Sequence, residues 1–532
     1  MLRSNFLNSN DKRGMSVRSY PFVITACLLL IGMPTYAKRT KLLGSRHRMP
    51  VVSGVVFHDS NGNGLLDARE ERLAGLPVSN GDTVVLTNTR GYYALPVRKG
   101  QSVFPILPAN YTLPTCRAVN SCFHYQQCGN AAKVDFALKK KDPKHRFTLN
   151  AIGDVQVSDH QEIEYAMRTI WPELLGKDSA EVNIFMGDLV NNNLPLLGEV
   201  DELISQLPSP SWTILGNHDR DVDSIRENQN ISFNRTFGAD AYAFNEGEVH
   251  FICLNNVYGL GNRGYEGRID DAQLSFIRND IKYVPSTRRI VLCMHIPLAF
   301  TKNASEVLNL LQGRGDVLVL SGHLHQIRRF FLHGPGVRAH ELGVGAACGF
   351  WWVGEKNWQG VPSALQQQGS PRNYFVLDFD GAKYQFRYKG IGLDSRKQMS
   401  IYVTGIDSTE HHLRDFKQVD AGELIVNVYG GCDSTRVFCR LDGGQWMECG
   451  KREMIDPYVA RARELNLRKV YPTLFSRMNP FRNRSSQQIW TITLPEQYRA
   501  GTHTVEVEAS DKFGFEASGI RSFCFPTDKT SE

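Results

Sequence analysis

The chain is 532 residues long, 42% apolar and 22% charged, with 46 Gly and 23 Pro spread along it. At roughly 100–200 residues per domain this length predicts about three domains, and the composition excludes collagen-like, coiled-coil and mostly disordered chains. Net charge is +6, but residues 1–37 hold four basic side chains against one acidic, leaving +3 on the remainder; so slight an excess gives no argument for a nucleic-acid partner.

The first segment reads as a leader. Basic residues up to Arg18 precede an apolar run from Phe22 to Met33, and Thr35-Tyr36-Ala37 follows as a small-x-Ala cleavage pattern. Residues 1–37 are therefore expected to be a signal peptide, with Lys38 the first mature residue and export to the periplasm or cell surface. The apolar run of about a dozen residues is short of the about 20 that a spanning helix needs. Ile24-Thr25-Ala26-Cys27 also fits a lipoprotein box that would make Cys27 a lipid anchor. The apolar run continues past Cys27, which favours the first reading. Export lets cysteines pair. Cys116, Cys122, Cys128, Cys432, Cys439, Cys449 and Cys524 are candidates with open connectivity, whereas Cys253, Cys293 and Cys348 lie in apolar runs and read as buried thiols.

Residues 50–138 carry short alternating runs, Val51 to Phe57, Thr83 to Thr87 and Tyr92 to Val97, and are expected to form a small β domain. Residues 139–146, charged and broken by Pro143, read as an exposed linker. From 147 to 390 apolar strands alternate with helical stretches. Ile163, Ala166, Met167, Ile170 and Leu174 share one helical face, and Leu197, Val200, Leu203, Ile204 and Leu207 another. The alternation predicts an α/β sandwich. Hairpin signals at Glu246-Gly247 and Asp380-Gly381 predict that part of the sheet is antiparallel. Residues 400–528 return to short strands, as expected for a terminal β-sandwich.

Five apolar runs of the middle region stop at residues that bind metals: Asp154, Asp188, Asn217-His218-Asp219, His295 and His323-x-His325. One such ending is unremarkable. Five in one domain, where strand ends converge on a single crevice, point to a metal centre.

Asp154-x-Gln156, Gly187-Asp188, Gly216-Asn217-His218-Asp219, His295 and Gly322-His323-Leu324-His325 together resemble the motif set of the calcineurin-like metallophosphoesterases. The resemblance implies a four-layer α/β (α+β) sandwich with mixed sheets. It also implies two divalent or trivalent ions, one held by Asp154, Gln156, Asp188 and His325 and the other by Asp188, Asn217, His295 and His323. Gln156 stands where most members have His. A carboxamide oxygen is a harder donor than imidazole, which favours manganese, iron or magnesium over zinc. The implied reaction is hydrolysis by dimetal-activated hydroxide, with His218 stabilising the transferring phosphoryl group and Asp219 orienting His218. Gln variants occur in branches that cleave diesters and diphosphates, and the expected substrate is a small-molecule or cell-envelope phosphoester of that kind.

Gly345 to Trp352 resembles a stretch of a bacterial branch that adds small domains on both sides of the core. Trp351 and Trp352 read equally as a substrate platform and as packing against a neighbouring domain. In the first domain, Asp59, Asn61, Asn63, Asp67 and Glu70 fit a calcium-loop pattern, and the surroundings resemble the prealbumin-like B repeats of bacterial surface proteins, which implies a structural calcium. Lys451 to Arg484 holds nine basic and three acidic residues and reads mainly as a solvated insertion. The alternative to an enzyme is a surface module that binds glycan or protein around an inactive core; metal-dependent turnover separates the two. Oligomeric state is not legible.

Overall fold

The computed structural model describes residues 49–113, 126–176, 180–407, 422–468 and 484–525. The leader with Cys27, Cys116, Cys122, His411, His412 and most of the basic stretch after Arg468 lie outside the described residues. Among the described residues no helix is long and apolar enough to cross a membrane.

The middle domain is built on two mixed sheets. In chain order its strands are β1 (Arg146–Ile152), β2 (Val182–Phe185), β3 (Ser211–Thr213), β4 (Tyr242–Glu246), β5 (Val249–Cys253), β6 (Arg289–Met294), β7 (Gly315–Ser321), β8 (Ile327–Gly334), β9 (Val337–Val344), β10 (Asn373–Asp380) and β11 (Lys383–Gly390). One sheet runs β3-β2-β1-β10-β11 and the other β4-β5-β6-β7-β9-β8. The runs β1-β2-β3 and β5-β6-β7-β9 are parallel. Both hairpin signals are borne out: Glu246 pairs with Val249 and Asp380 with Lys383, each across a two-residue turn opened by a left-handed glycine.

Side-chain alternation along each strand explains the four layers. Leu149, Ala151, Val182 and Ile184 face the second sheet, where Trp212 of β3 stacks on Phe244 of β4 at 4.1 Å. Ile152 and Phe185 face the other way, onto helices His160–Thr169 and Leu197–Ser205. The second helix buries its expected face. In the first, Tyr165 takes an inward place beside Trp352 while Met167 is exposed. Helices Asp271–Asp280 and Ala304–Leu310 cover the outer side of the second sheet through Phe276, Ile277, Val307 and Leu308.

The N-terminal domain has sheets of five and four strands sharing one core with Val52, Val78, Tyr93 and Val103, as a small β-sandwich. The linker is exposed, as expected, except at Lys141, but it is tied to the core. Lys139 and Lys140 end a strand, and Lys141 and Lys144 pair with Glu246 and Glu181 of the core. Opposite charges fixed on the neighbouring surface hold what composition alone marks as a loop. The C-terminal strands are where they were expected, but form a single seven-stranded sheet in place of two separate ones. It curls until Arg521 of its last strand donates to the Ile401 carbonyl of its first at 2.6 Å, and the twist of a long sheet favours such curling.

Arg329 of β8 ties this sheet to the core. It pairs with Asp511 at 2.5 Å, both side chains wholly buried, and its guanidinium lies 4.9 Å from the ring centre of Phe386. Arg329→Ala leaves Asp511 buried without its cation, and is expected to cost about 3–5 kcal/mol. Urea denaturation reads this as a lower midpoint; an unchanged midpoint would show that the ion pair contributes nothing.

Candidate metal centre

Every residue of the motif set follows the C-terminal end of a parallel strand: Asp154 and Gln156 after β1, Asp188 after β2, Asn217 and His218 after β3, His295 after β6, His323 and His325 after β7. The turns are tight. Asp154, Gln156, Asp188, His323 and His325 have φ of 32, 42, 51, 71 and 49°, a region that costs a side-chain-bearing residue roughly 1–2 kcal/mol. Such strain persists where the surrounding structure enforces it, and it clusters at functional sites. Crowding explains two of the motif glycines. A Cβ on Gly216 would lie 2.2 Å from Asp188 Oδ1, and one on Gly322 would lie 2.8 Å from Asp154 Oδ2.

His295 is the centre of the cluster. Its Nδ1 donates to the Met186 carbonyl at 2.8 Å, which fixes the tautomer and leaves Nε2 as the ligand atom. That Nε2 lies 3.0 Å from Asn217 Oδ1, 3.3 Å from Asp188 Oδ2 and 3.2 Å from His323 Nδ1. Ligand atoms of Asp188, His295 and His323 all fall within 4.8 Å of one another. Beside them, His325 gives its Nδ1 proton to Gly349 at 2.6 Å and turns Nε2 to within 3.6 Å of Asp154 Oδ1. Gln156 is buried next to this pair, with Cys348 Sγ 3.8 Å from its Oε1 and 3.7 Å from His325 Nδ1.

The donor set fits cations. Burial pushes the Asp154 carboxyl well above its ordinary value. Burial also pushes Asp188 up, but the His295 imidazole beside it outweighs that and holds it low. Burial lowers His323 to about 3 and His325 to about 4, so both rings are neutral at physiological pH, as ligation requires. Burial acts on His295 too, but the Asp188 carboxylate outweighs it and raises His295 to about 9, and a cation would have to displace that proton. Gln156 Nε2 is buried without a hydrogen-bond partner. Two carboxylates, three imidazoles and two carboxamides gathered away from water are costly unless charge of the opposite sign joins them.

His218 donates its backbone N–H to Asp188 Oδ1 at 2.8 Å, and its ring Nδ1 is buried with no partner. Asp219 does not orient it. The Asp219 carboxylate accepts the amides of Leu189, Val190 and Gly216 at 2.9, 3.0 and 2.9 Å, clamping the turn after β3 onto the turn after β2. A buried carboxylate surrounded by unpaired amides is satisfied there first. Trp352 is likewise no substrate platform: it is buried, donates Nε1 to the Val155 carbonyl at 3.0 Å and stacks under Arg372. Trp351 is half-buried, 5.5 Å from the His325 ring and beside Phe350. Phe350 and Val353 pack on Val459 and Ala462 of the C-terminal helix Pro457–Leu467, so this stretch chiefly joins domains.

One further residue braces the site. Asn256 clasps the backbone of Ile296 through both its amide atoms, at 2.5 and 3.0 Å, and so holds the chain just after His295. Its place at the end of an apolar run was the available signal.

Sequence models of calcineurin-like phosphoesterases match three consecutive stretches: the N-terminal part over residues 60–141, the phosphoesterase itself over 147–327 and the C-terminal part over 341–516. The chain belongs to the calcineurin-like phosphoesterases. As such it is a metal-dependent hydrolase. No curated protein matches the sequence significantly. Among solved structures, the purple acid phosphatase PPD1 of yellow lupin (Lupinus luteus) is similar at 12% identity and a TM-score of 0.34, over 59% of this chain and 67% of that one. The sulfate thiohydrolase SoxB of Thermus thermophilus is similar at 11% identity and a TM-score of 0.23, over 39% of this chain and 38% of its own. Likenesses this distant carry no argument about the phosphoesterase's substrate.

Proposed function

We propose that this phosphoesterase is exported and hydrolyses a phosphodiester or diphosphate of a small molecule or of the cell envelope. The observation that carries the hydrolytic reading is the convergence of Asp188, Asn217, His295 and His323 on one point, with Asp154, Gln156 and His325 beside it. Asp188, Asn217, His295 and His323 would hold one cation and Asp154, Gln156, Asp188 and His325 the other; such a pair supplies an activated water and a clamp for the phosphoryl oxygens. The oxygen of Gln156 in place of an imidazole favours manganese, iron or magnesium. His218, anchored to Asp188 through its backbone, presents its ring to the phosphoryl group and to the departing oxygen. Export rests on the leader pattern of residues 1–37.

The test is hydrolysis of an aryl phosphodiester and the matching monoester by manganese-loaded protein. Metal-dependent cleavage with the diester preferred is expected. Cleavage of neither, with metal bound, would favour a binding module with an inactive core.

The first domain supports a structural calcium. Asp59 Oδ1 and Oδ2 gather the amides of Gly62, Asn63 and Gly64, and Asp67 Oδ2 lies 2.7 Å from Asn61 Nδ2 and 3.0 Å from Asn63 Nδ2. Glu70 closes the loop onto the Ser60 and Asp67 amides. Carboxylate and carboxamide oxygens are the donors calcium prefers; here the N–H groups of the loop itself occupy the carboxylates. Calcium added to chelator-treated protein is expected to raise its melting temperature, and Asp67→Ala to remove that rise. A melting temperature indifferent to calcium would dispose of the ion.

A further inference from the structure

A second group of cations lies beside the metal centre, on the seam between the N-terminal domain and the core. A cleft of about 380 Å³ runs along this seam, with Arg98 and Lys99 on one wall and Arg220, Arg226 and Tyr258 on the other. Arg220 immediately follows the Gly216–Asp219 turn and is 3% exposed. Its Nε donates to the Asn217 carbonyl at 3.3 Å and its Nη1 to Gln229 Oε1 at 2.9 Å. Its guanidinium lies 5.1 Å from the ring centre of Tyr265, whose ring stands edge-on to His323 at 6.0 Å. One buried cation therefore touches the metal centre and lines the cleft.

Three of the five cations on the cleft walls have no carboxylate in direct contact among the described residues. Arg98 has Asp82 at 2.8 Å, and Arg268 has Glu266 at 3.9 Å. Lys99, Arg220 and Arg226 form no ion pair among the described residues, and Arg226 instead lies 4.0 Å from the ring centre of Tyr258. Of the acids on the walls, Asp240 is engaged by the amides of Asn230 and Asn255 at 2.7 and 2.6 Å, and Asp270 caps a helix through the Gln273 amide at 2.9 Å. Glu227 is the remaining acid. A buried guanidinium without a carboxylate is costly, and its planar fork of donors matches phosphate oxygens. Ligand sites also favour domain seams.

We propose that the cleft is the subsite for a second anionic group, and that the substrate is an organic diphosphate: one phosphoryl group at the metal centre, the other held by Arg220 and Arg226 with Lys99 reaching in from the N-terminal domain. The assignment rests on the phosphoesterase reading above and decides between its two substrate chemistries. It also gives the N-terminal domain a part in substrate choice. The cations Lys99 and Arg226 are exposed, so removing both leaves the core packing untouched.

Two measurements test it on the full chain. In the first, metal-stripped protein is titrated calorimetrically with inorganic pyrophosphate. The wild type is expected to bind, and a variant combining Lys99→Ala with Arg226→Ala to bind about tenfold more weakly or worse, the loss of one charged contact being of order 1.4 kcal/mol or more. No binding by the wild type, or equal binding by both, would overturn the subsite whether or not the protein turns anything over. In the second, the manganese-loaded proteins are compared by the ratio of kcat/KM for a nucleoside diphosphate sugar to that for an aryl phosphodiester. The double variant is expected to lower this ratio about tenfold, through KM. An unchanged ratio would reject the subsite and leave the phosphoesterase reading standing. Absence of metal-dependent hydrolysis of either compound by the wild type would count against that reading, and the pyrophosphate titration would still decide the subsite.

Discussion

Replacing His218 with alanine is expected to lower turnover by about 100-fold or more while leaving bound metal unchanged. The side chain is not among the residues converging on His295. It is fixed at their edge by its own backbone, whose N–H donates to Asp188 Oδ1 at 2.8 Å. That bond survives truncation at Cβ, so the ring can be removed without releasing Asp188. On the proposed mechanism, what would be lost is a donor to the phosphoryl group as negative charge gathers on it and on the departing oxygen. Steady-state kinetics on the aryl phosphodiester, with metal content measured by mass spectrometry on the same sample, reads both halves of the expectation. Turnover equal to wild type would remove His218 from the reaction. Asp219→Asn is the useful contrast, because the Asp219 carboxylate accepts three backbone amides. Its loss should appear as lower thermal stability, since an amide nitrogen would then face one of those donors.

Asp188→Asn should remove metal and activity together. Asp188 contributes one oxygen to the His218 amide and the other to the point shared by His295, Asn217 and His323. A carboxylate can bridge two cations, whereas a carboxamide has one oxygen and no charge. The several kcal/mol that metal ions supply to phosphoryl transfer correspond to about a thousandfold or more in rate. Metal content and the metal-induced rise in melting temperature should fall with it. A variant that kept both, with turnover near wild type, would show that Asp188 holds no cation.

Much of the centre was legible because its geometry is local to the strand ends. An apolar run that halts at Asp, Asn or His marks where a buried strand leaves the sheet, and parallel strands deliver all such ends to one edge. The glycines of the motifs are part of the same signal: Gly216 and Gly322 sit where a Cβ would strike Asp188 or Asp154. The hairpins at Gly247 and Gly381 were legible for a related reason, since a two-residue turn needs the left-handed conformations that glycine adopts freely.

Roles that depend on direction were not legible. Asp219 stands next to His218 in the chain, yet its carboxylate turns to the amides of the neighbouring strand's turn. Trp351 and Trp352 are adjacent in a loop of left-handed residues with φ of 62 and 41°, and they part company, one toward His325 and the other into the core. Nothing periodic relates the two, so no sequence pattern could separate them. Lys141 and Lys144 read as linker charges because Glu246 and Glu181, which hold them, are distant in sequence.

The sheet strands, the metal-binding residue types and the family are written in short stretches of the chain, because hydrophobic periodicity and motif spacing act over a few residues. The curl of the C-terminal sheet, the clamp made by Asp219 and the meeting of Arg220, Arg226 and Lys99 in one cleft emerge in the folded chain alone. Those depend on contacts between segments far apart in the chain, where burial and the need to satisfy every buried polar group select the partner.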